Sequence, residues 1–201
     1  MVHRERGGLT KFELALLFTG HMIDLPDRAQ RRFPPRLEQQ AADAIRNEIA
    51  RAAKNTPGPM VGIASGARGG DILFLEACRG AGIPIRMVLP FELERFLDSS
   101  VRGVPSGDWE ARFDKLWYGL TGRDREVAAV PLGENPYDHC NRRMLGLAGE
   151  LAGRFRLIAL RDRKELAPKP GGTASFVGLV RHAHGEVAHI DTARLLRKLR
   201  A

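Results

Sequence analysis

The chain predicts an α/β fold: a doubly wound, mostly parallel sheet of about six strands with helices on both faces. Three features lead there. Short apolar runs alternate with longer amphipathic stretches along most of the 201 residues, the pattern of strands joined by crossover helices. The apolar runs end in turn residues, several of them glycine or proline. Hydrophobic residues make up 43% of the chain, enough for a buried core. No apolar run approaches the roughly 18 residues needed to span a bilayer.

Leu14 to Phe18 is the first expected strand, closed by Thr19-Gly20-His21. A polar, proline-bearing stretch leads to a helix over about Arg36–Ala53, whose apolar residues Leu37, Ala41, Ala44, Ile45, Ile49 and Ala52 recur at helical spacing. Asn55-Thr56-Pro57-Gly58-Pro59 breaks that helix. Met60–Ala64 is the second strand and Asp71–Cys78 the helix behind it, ending at Gly80–Gly82. The third strand, Ile85–Leu89, closes at Pro90-Phe91. Helices over Glu92–Leu97 and Trp109–Leu120 flank a loop at Val101–Gly107. Glu126–Val130 is the candidate fourth strand, Asp138–Ala152 a helix and Phe155–Leu160 the fifth strand. A polar loop, Arg161–Gly172, precedes a helix over Thr173–His184, a last strand at Val187–Ile190 and a final helix at Thr192–Lys198. Residues 1–11 read as a tail ahead of one domain over residues 12–201.

The net charge of +8 favours anionic partners, nucleic acid among them. Of the 32 basic residues 26 are arginines, scattered except for Arg194, Arg197, Lys198 and Arg200. Aromatic residues make up only 6% of the chain, which leaves few platforms for stacking bases. The first residues lack the apolar stretch of a secretory signal, and two cysteines, Cys78 and Cys140, are too few for a disulfide framework. The expectation is a cytoplasmic protein with reduced thiols and no membrane partner, with homo-oligomer formation left open. The histidines show no ligand spacing, so no metal and no cofactor beyond the ligand itself is expected.

In a doubly wound sheet, ligands bind outside the carboxyl ends of the strands, where strand order reverses. The expected strand-end loops are Thr19–Asp24, Ser65–Asp71, Pro90–Phe91, Pro131–Pro136 and Pro168–Ser175. Ser65-Gly66-Ala67-Arg68-Gly69-Gly70-Asp71 stands out: its glycines allow close backbone approach, and the helix behind it offers unpaired N–H groups to an anion. Arg68 can add a bidentate clamp. Gly171 and Gly172 form a second such turn, with hydroxyls at Thr173 and Ser175 that suit a phosphate or a helix cap. Asn141, Arg142 and Arg143 open a helix from which one arginine can face the crevice. Gly20 and His21 end the first strand. The acid–base candidates are Asp24, Asp71 and Glu134, and Asp71 could equally cap its helix. Asp191 reads as a cap for the final helix.

Ser65–Asp71 resembles the Ser-Gly-x-Ala-Arg-Gly-x-Asp turn of the DNA-processing protein A (Smf) family, shortened by one residue. Cys140-Asn141-Arg142-Arg143 is similar to that family's Arg-Asn-Arg helix start, and Gly171–Ser175 sits where its last phosphate-facing turn lies. The same segments resemble the lonely-guy nucleoside-monophosphate phosphoribohydrolases, in which Pro-Gly-Gly-x-Gly-Thr-x-x-Glu carries the catalytic glutamate. Both families belong to the Rossmann-like SLOG superfamily of nucleotide-binding and sensor domains, and the resemblance spans about residues 12 to 191. Against the hydrolase motif, Ala174 replaces glycine, Ser175 replaces threonine and Gly178 stands in place of the glutamate. Against the DNA-processing family, Cys140 replaces an arginine and no winged-helix domain is added. Thr19–Asp24 looks more like the SLOG sensor domains that accompany bacterial signalling or defence modules.

The resemblance implies a cytoplasmic domain that binds or senses a small anionic nucleotide, without turnover. Two other readings stay open: an N-glycosidic hydrolase with a relocated carboxylate, and a single-stranded DNA-binding protein.

Overall fold

The computed structural model describes residues 11–162 and 170–199. The expected tail, apart from Lys11, and residues 163–169 of the polar loop lie outside the described residues. The strands are β1 (Phe12–Gly20), β2 (Met60–Ala64), β3 (Ile85–Leu89), β4 (Arg125–Val127), β5 (Ala152–Arg161) and β6 (Glu186–Asp191). They form one sheet in the order β4-β3-β2-β1-β5-β6. Every pairing is parallel, so the sheet is more uniform than the mostly parallel one expected.

The helices are α1 (Glu38–Lys54), α2 (Gly70–Gly80), α3 (Leu93–Phe96), α4 (Trp109–Trp117), α5 (Pro136–Leu151), α6 (Thr173–His182) and α7 (Thr192–Lys198). From β1 to β4 the sheet grows in one direction; β5 and β6 then extend it in the other. Right-handed crossovers therefore place the two sets of helices on opposite faces. Leu14, Leu16 and Phe18 of β1 pack with α1, α2 and α4. Ala15 and Leu17 turn to α5 and α6. This period-two division of β1 buries the strand on both sides, as a central parallel strand requires.

Several element ends differ from expectation for identifiable reasons. A 3-10 turn at Pro35–Leu37 precedes α1. The helix expected from Asp138 starts at Pro136, because the Asn135 side chain accepts from the N–H groups of Tyr137 and Asp138 and proline suits the first helical position. Asn141–Arg143 therefore lie inside the helix, not at its opening. Strand β5 follows α5 without a loop, its non-apolar start drawn into the sheet by pairing of Ala152 with Phe12 and Arg154 with Leu14. The fourth strand shifts to Arg125–Val127 under its pairing with Met87–Leu89. Beyond α3 the chain continues through a π-helical turn, Leu97–Val101. The Arg102 guanidinium then binds Glu94, Asp98 and Glu110 and ties that turn to α4. Asp191 caps α7 as expected, accepting from the N–H groups of Ala193 and Arg194.

Candidate functional site: the crevice between β1 and β5

Strand order reverses between β1 and β5, and a crevice of about 390 Å³ opens there at the carboxyl ends of the strands. That volume lies within the range of roughly 300–1,000 Å³ common for small-molecule sites. Of the residues singled out in the sequence, Gly20, His21, Ser65, Asp71, Asn141, Gly171, Gly172 and Thr173 line it. Gly66, Arg68, Gly69, Gly70, Arg142, Arg143, Ser175, Asp24 and Glu134 do not.

The glycine turn after β2 is folded against its own protein. The Asp71 carboxylate accepts from the N–H groups of Gly66 (3.2 Å) and Ala67 (3.3 Å) and so occupies the cradle expected to hold a phosphate. Asp71 thus staples the turn ahead of α2, whose cap is Gly69. Burial pushes the Asp71 carboxyl up to about 7, against the pull of those backbone donors. Gly66 and Gly70 lie against side chains, Met87 and Phe18 respectively. At Gly69 the backbone itself comes close: it bridges to Met22, and a Cβ there would sit 2.6 Å from the Ile23 nitrogen.

Arg68 is 4% exposed and turned inward. Its guanidinium donates to the carbonyls of Ile23 (3.4 Å) and Arg102 (3.1 Å), joining the loop after β1 to the π-helical turn. Burial draws its pKa below the ordinary arginine value. Its place is therefore structural, and removing it strands two carbonyls. Arg68→Ala is expected to lower stability by about 2 kcal/mol, the scale of hydrogen bonds to a charged group, seen as a lower urea midpoint.

His21 sits on the crevice wall with 4% exposure. Its Nε2 accepts from the Asp162 N–H at 3.0 Å, which assigns the proton to Nδ1. Burial, reinforced by the charges of Arg32 and Arg28, lowers its pKa to about 4. The ring is neutral near pH 7 and presents an N–H donor.

The N-terminus of α6 also opens into the crevice at Gly172, Thr173 and Ala174. The first bond of that helix runs from the Phe176 N–H to the Gly172 carbonyl, so the amides before it face outward from the ladder. Asp138 of α5 takes two neighbouring donors, the Gly171 N–H (3.4 Å) and the Ser175 hydroxyl (3.0 Å). Ser175 is thereby turned away from the crevice. Asn141 Nδ2 donates to the Gly171 carbonyl at 3.3 Å and holds the second glycine turn against α5.

The other candidates pair elsewhere. Arg142 binds Glu134 and Asp138, and Arg143 binds Glu126 and Glu150. Glu134 is exposed, with its pKa lowered by the hydrogen bond from His139 and by Arg142. Asp24 accepts from the N–H groups of Arg32 and Phe33, shaping the loop after β1. Gly178, in the position of the hydrolase glutamate, is exposed and outside the crevice. Cys78 and Cys140 are free and buried.

Two basic residues at the crevice were missed from the sequence: Arg28 and Arg32, in the loop between β1 and α1. The signal available was their position, since a loop leaving the carboxyl end of a strand faces the ligand side. Tyr137, Pro90 and Met144 add apolar surface on the α5 side. Among the described residues no group of histidine, cysteine or acidic side chains could hold a metal.

Fold and site together define a parallel α/β protein with a basic, partly apolar crevice at its topological switch point. No family model and no curated protein matches the sequence. The crystal structure of Streptococcus suis SuiB aligns with 90% of this chain and 50% of its own, at 12% identity and a TM-score of 0.28. This chain thus spans about half the length of that one, and likeness at that level carries no argument. Among the described residues no helix is long and apolar enough to cross a membrane.

Proposed function

We propose that the chain binds a nucleotide or nucleotide-derived anion in the crevice between β1 and β5, as a SLOG-like sensor domain without turnover. One observation carries the reading: the opening of α6 at Gly172–Ala174 shares the crevice with Arg28 and Arg32. A helix N-terminus and two guanidinium groups, of which Arg28 also pairs with Asp24 at 3.3 Å, together favour a phosphate over a neutral ligand. The neutral His21 ring supplies a donor suited to a ribose or base acceptor. Tyr137, Pro90 and Met144 offer the apolar surface on which a base packs.

A panel of mononucleotides, cyclic nucleotides and short DNA, read by thermal shift, tests this directly, because a bound ligand raises apparent stability. The informative variant is Ala174→Asp. An acidic residue in the first turn favours a helix, so the fold should tolerate it while phosphate is repelled. Nucleotide affinity is expected to fall at least about tenfold, or 1.4 kcal/mol, with Tm kept or raised. Undiminished affinity would remove the α6 site. Affinity that grows with oligonucleotide length and falls steeply with salt would favour the DNA-binding reading instead.

One observation favours an N-glycosidic hydrolase as a second reading. Among the described residues Asp71 alone brings a carboxyl to the crevice, and its pKa of about 7 suits a general acid. Release of free base from nucleoside monophosphates, abolished by Asp71→Asn, would support it. No release at saturating nucleotide would eliminate it.

A further inference from the structure

We propose a second ligand site, for a phosphate-sized oxyanion, at the opposite end of the sheet from the crevice. A cleft of about 440 Å³ opens at the amino ends of the strands, between the end of α1, the start of β5 and the turn joining α6 to β6. The crevice lies at the other end of β1 and β5, roughly 30 Å away at 3.3 Å per residue along the ten-residue β5. Binding here is independent of the nucleotide reading.

Arg154 and Arg156 both line this cleft. Being two apart on a strand, they project from the same face of the sheet. Arg156 pairs with Glu48 at 3.3 Å and Glu186 at 3.8 Å, and Glu48 also binds Arg51. The acidic groups beside the cleft are therefore already engaged. Arg154, by contrast, has no ionic or hydrogen-bonding partner among the described residues. It is exposed at the start of β5, beside Leu14 of β1 and ahead of the β6 pairing that begins at Arg156.

Thr56 borders the cleft at 7% exposure, with its hydroxyl enclosed by protein atoms. One further side chain points to a ligand. His184 adopts the left-handed region at φ 59°. The Gly185 N–H donates to the Val180 carbonyl and the His184 N–H to the Arg181 carbonyl, which together form a Schellman helix end. Glycine is the usual residue at the left-handed position of that motif. A histidine there sacrifices stability and places an imidazole on the cleft wall. The guanidinium groups and the imidazole on this cleft suit an oxyanion.

Amide chemical shifts of the ¹⁵N-labelled protein, titrated with inorganic phosphate, test the proposal. Saturable shifts are expected at Thr56, Gly153 and Gly185. Arg154→Ala should weaken that binding at least about tenfold, as expected for a charge-assisted contact. His184→Gly should weaken it too while raising Tm by about 3 °C, since glycine relieves the left-handed strain. Shifts confined to Gly172–Ser175 would overturn the proposal, as would unchanged affinity in both variants.

Discussion

Asp71→Asn is expected to make the protein about 4 kcal/mol more stable than its parent at pH 8 and almost no more stable at pH 4. The carboxyl titrates near 7 when folded and near 3.8 ordinarily, so the folded state holds the proton more tightly. Its contribution is fully present below pH 3.8 and is lost as pH rises through 7. Three units at about 1.4 kcal/mol each set the size. Asparagine cannot ionise, yet its side-chain oxygen can still accept from Gly66 and Ala67. His21 carries the opposite sign. Its folded pKa of about 4 lies below the ordinary 6.5, so its contribution is present above pH 6.5 and is lost as pH falls through 4. His21→Gln should abolish that acid-side loss, about 3 kcal/mol. The two slopes oppose each other between pH 4 and 6.5, and each becomes visible when the other group is removed. Urea unfolding at stepped pH gives both difference curves. A constant difference between Asp71→Asn and parent from pH 4 to 8 would refute the assignment.

Gly69→Ala is expected to destabilise the fold by about 3 kcal/mol, the scale of a forbidden backbone conformation combined with a steric clash. Its φ of 90° and ψ of −121° exclude ordinary side chains, and the added carbon would press on the Ile23 nitrogen, which is backbone and cannot swing aside. Gly80→Ala is the control: nothing lies within 4 Å of that position, at the end of the same helix. There the change should be neutral or stabilising by up to about 1 kcal/mol. Equal urea midpoints for the two variants would show that the turn after β2 yields.

The fold was largely legible because burial on both faces writes itself into a strand as an apolar run. Met60–Ala64 and Ile85–Leu89 stand in the structure as the sequence suggested. The ends that moved were those set by pairing rather than by composition, as at Ala152–Arg154. Four of the five expected strand-end segments meet at one crevice, which position in an alternating pattern can reveal, and Pro131–Pro136 does not line it. What individual side chains do there was less legible. A glycine turn that approaches phosphate and one that approaches a neighbouring loop carry the same residues, and only contact with Met22–Ile23 separates them. Arg68 reads identically whether it clamps a ligand or two carbonyls. Arg28 and Arg32 were hidden because their loop has no periodicity.

The pairing of β1 with β5 joins residues about 140 positions apart, from Phe12 with Ala152 to Gly20 with Leu160. The pairing of β1 with β2 closes a much shorter span. Longer loops lose more entropy on closure and tend to close later. The half of the sheet built on β1 to β3 can therefore assemble first, with the β5–β6 half docking afterwards. The crevice lies along that late seam and lacks its α5 and α6 wall before it shuts. A ligand held there would act as a latch on the finished fold, and its release would ease the parting of the two halves.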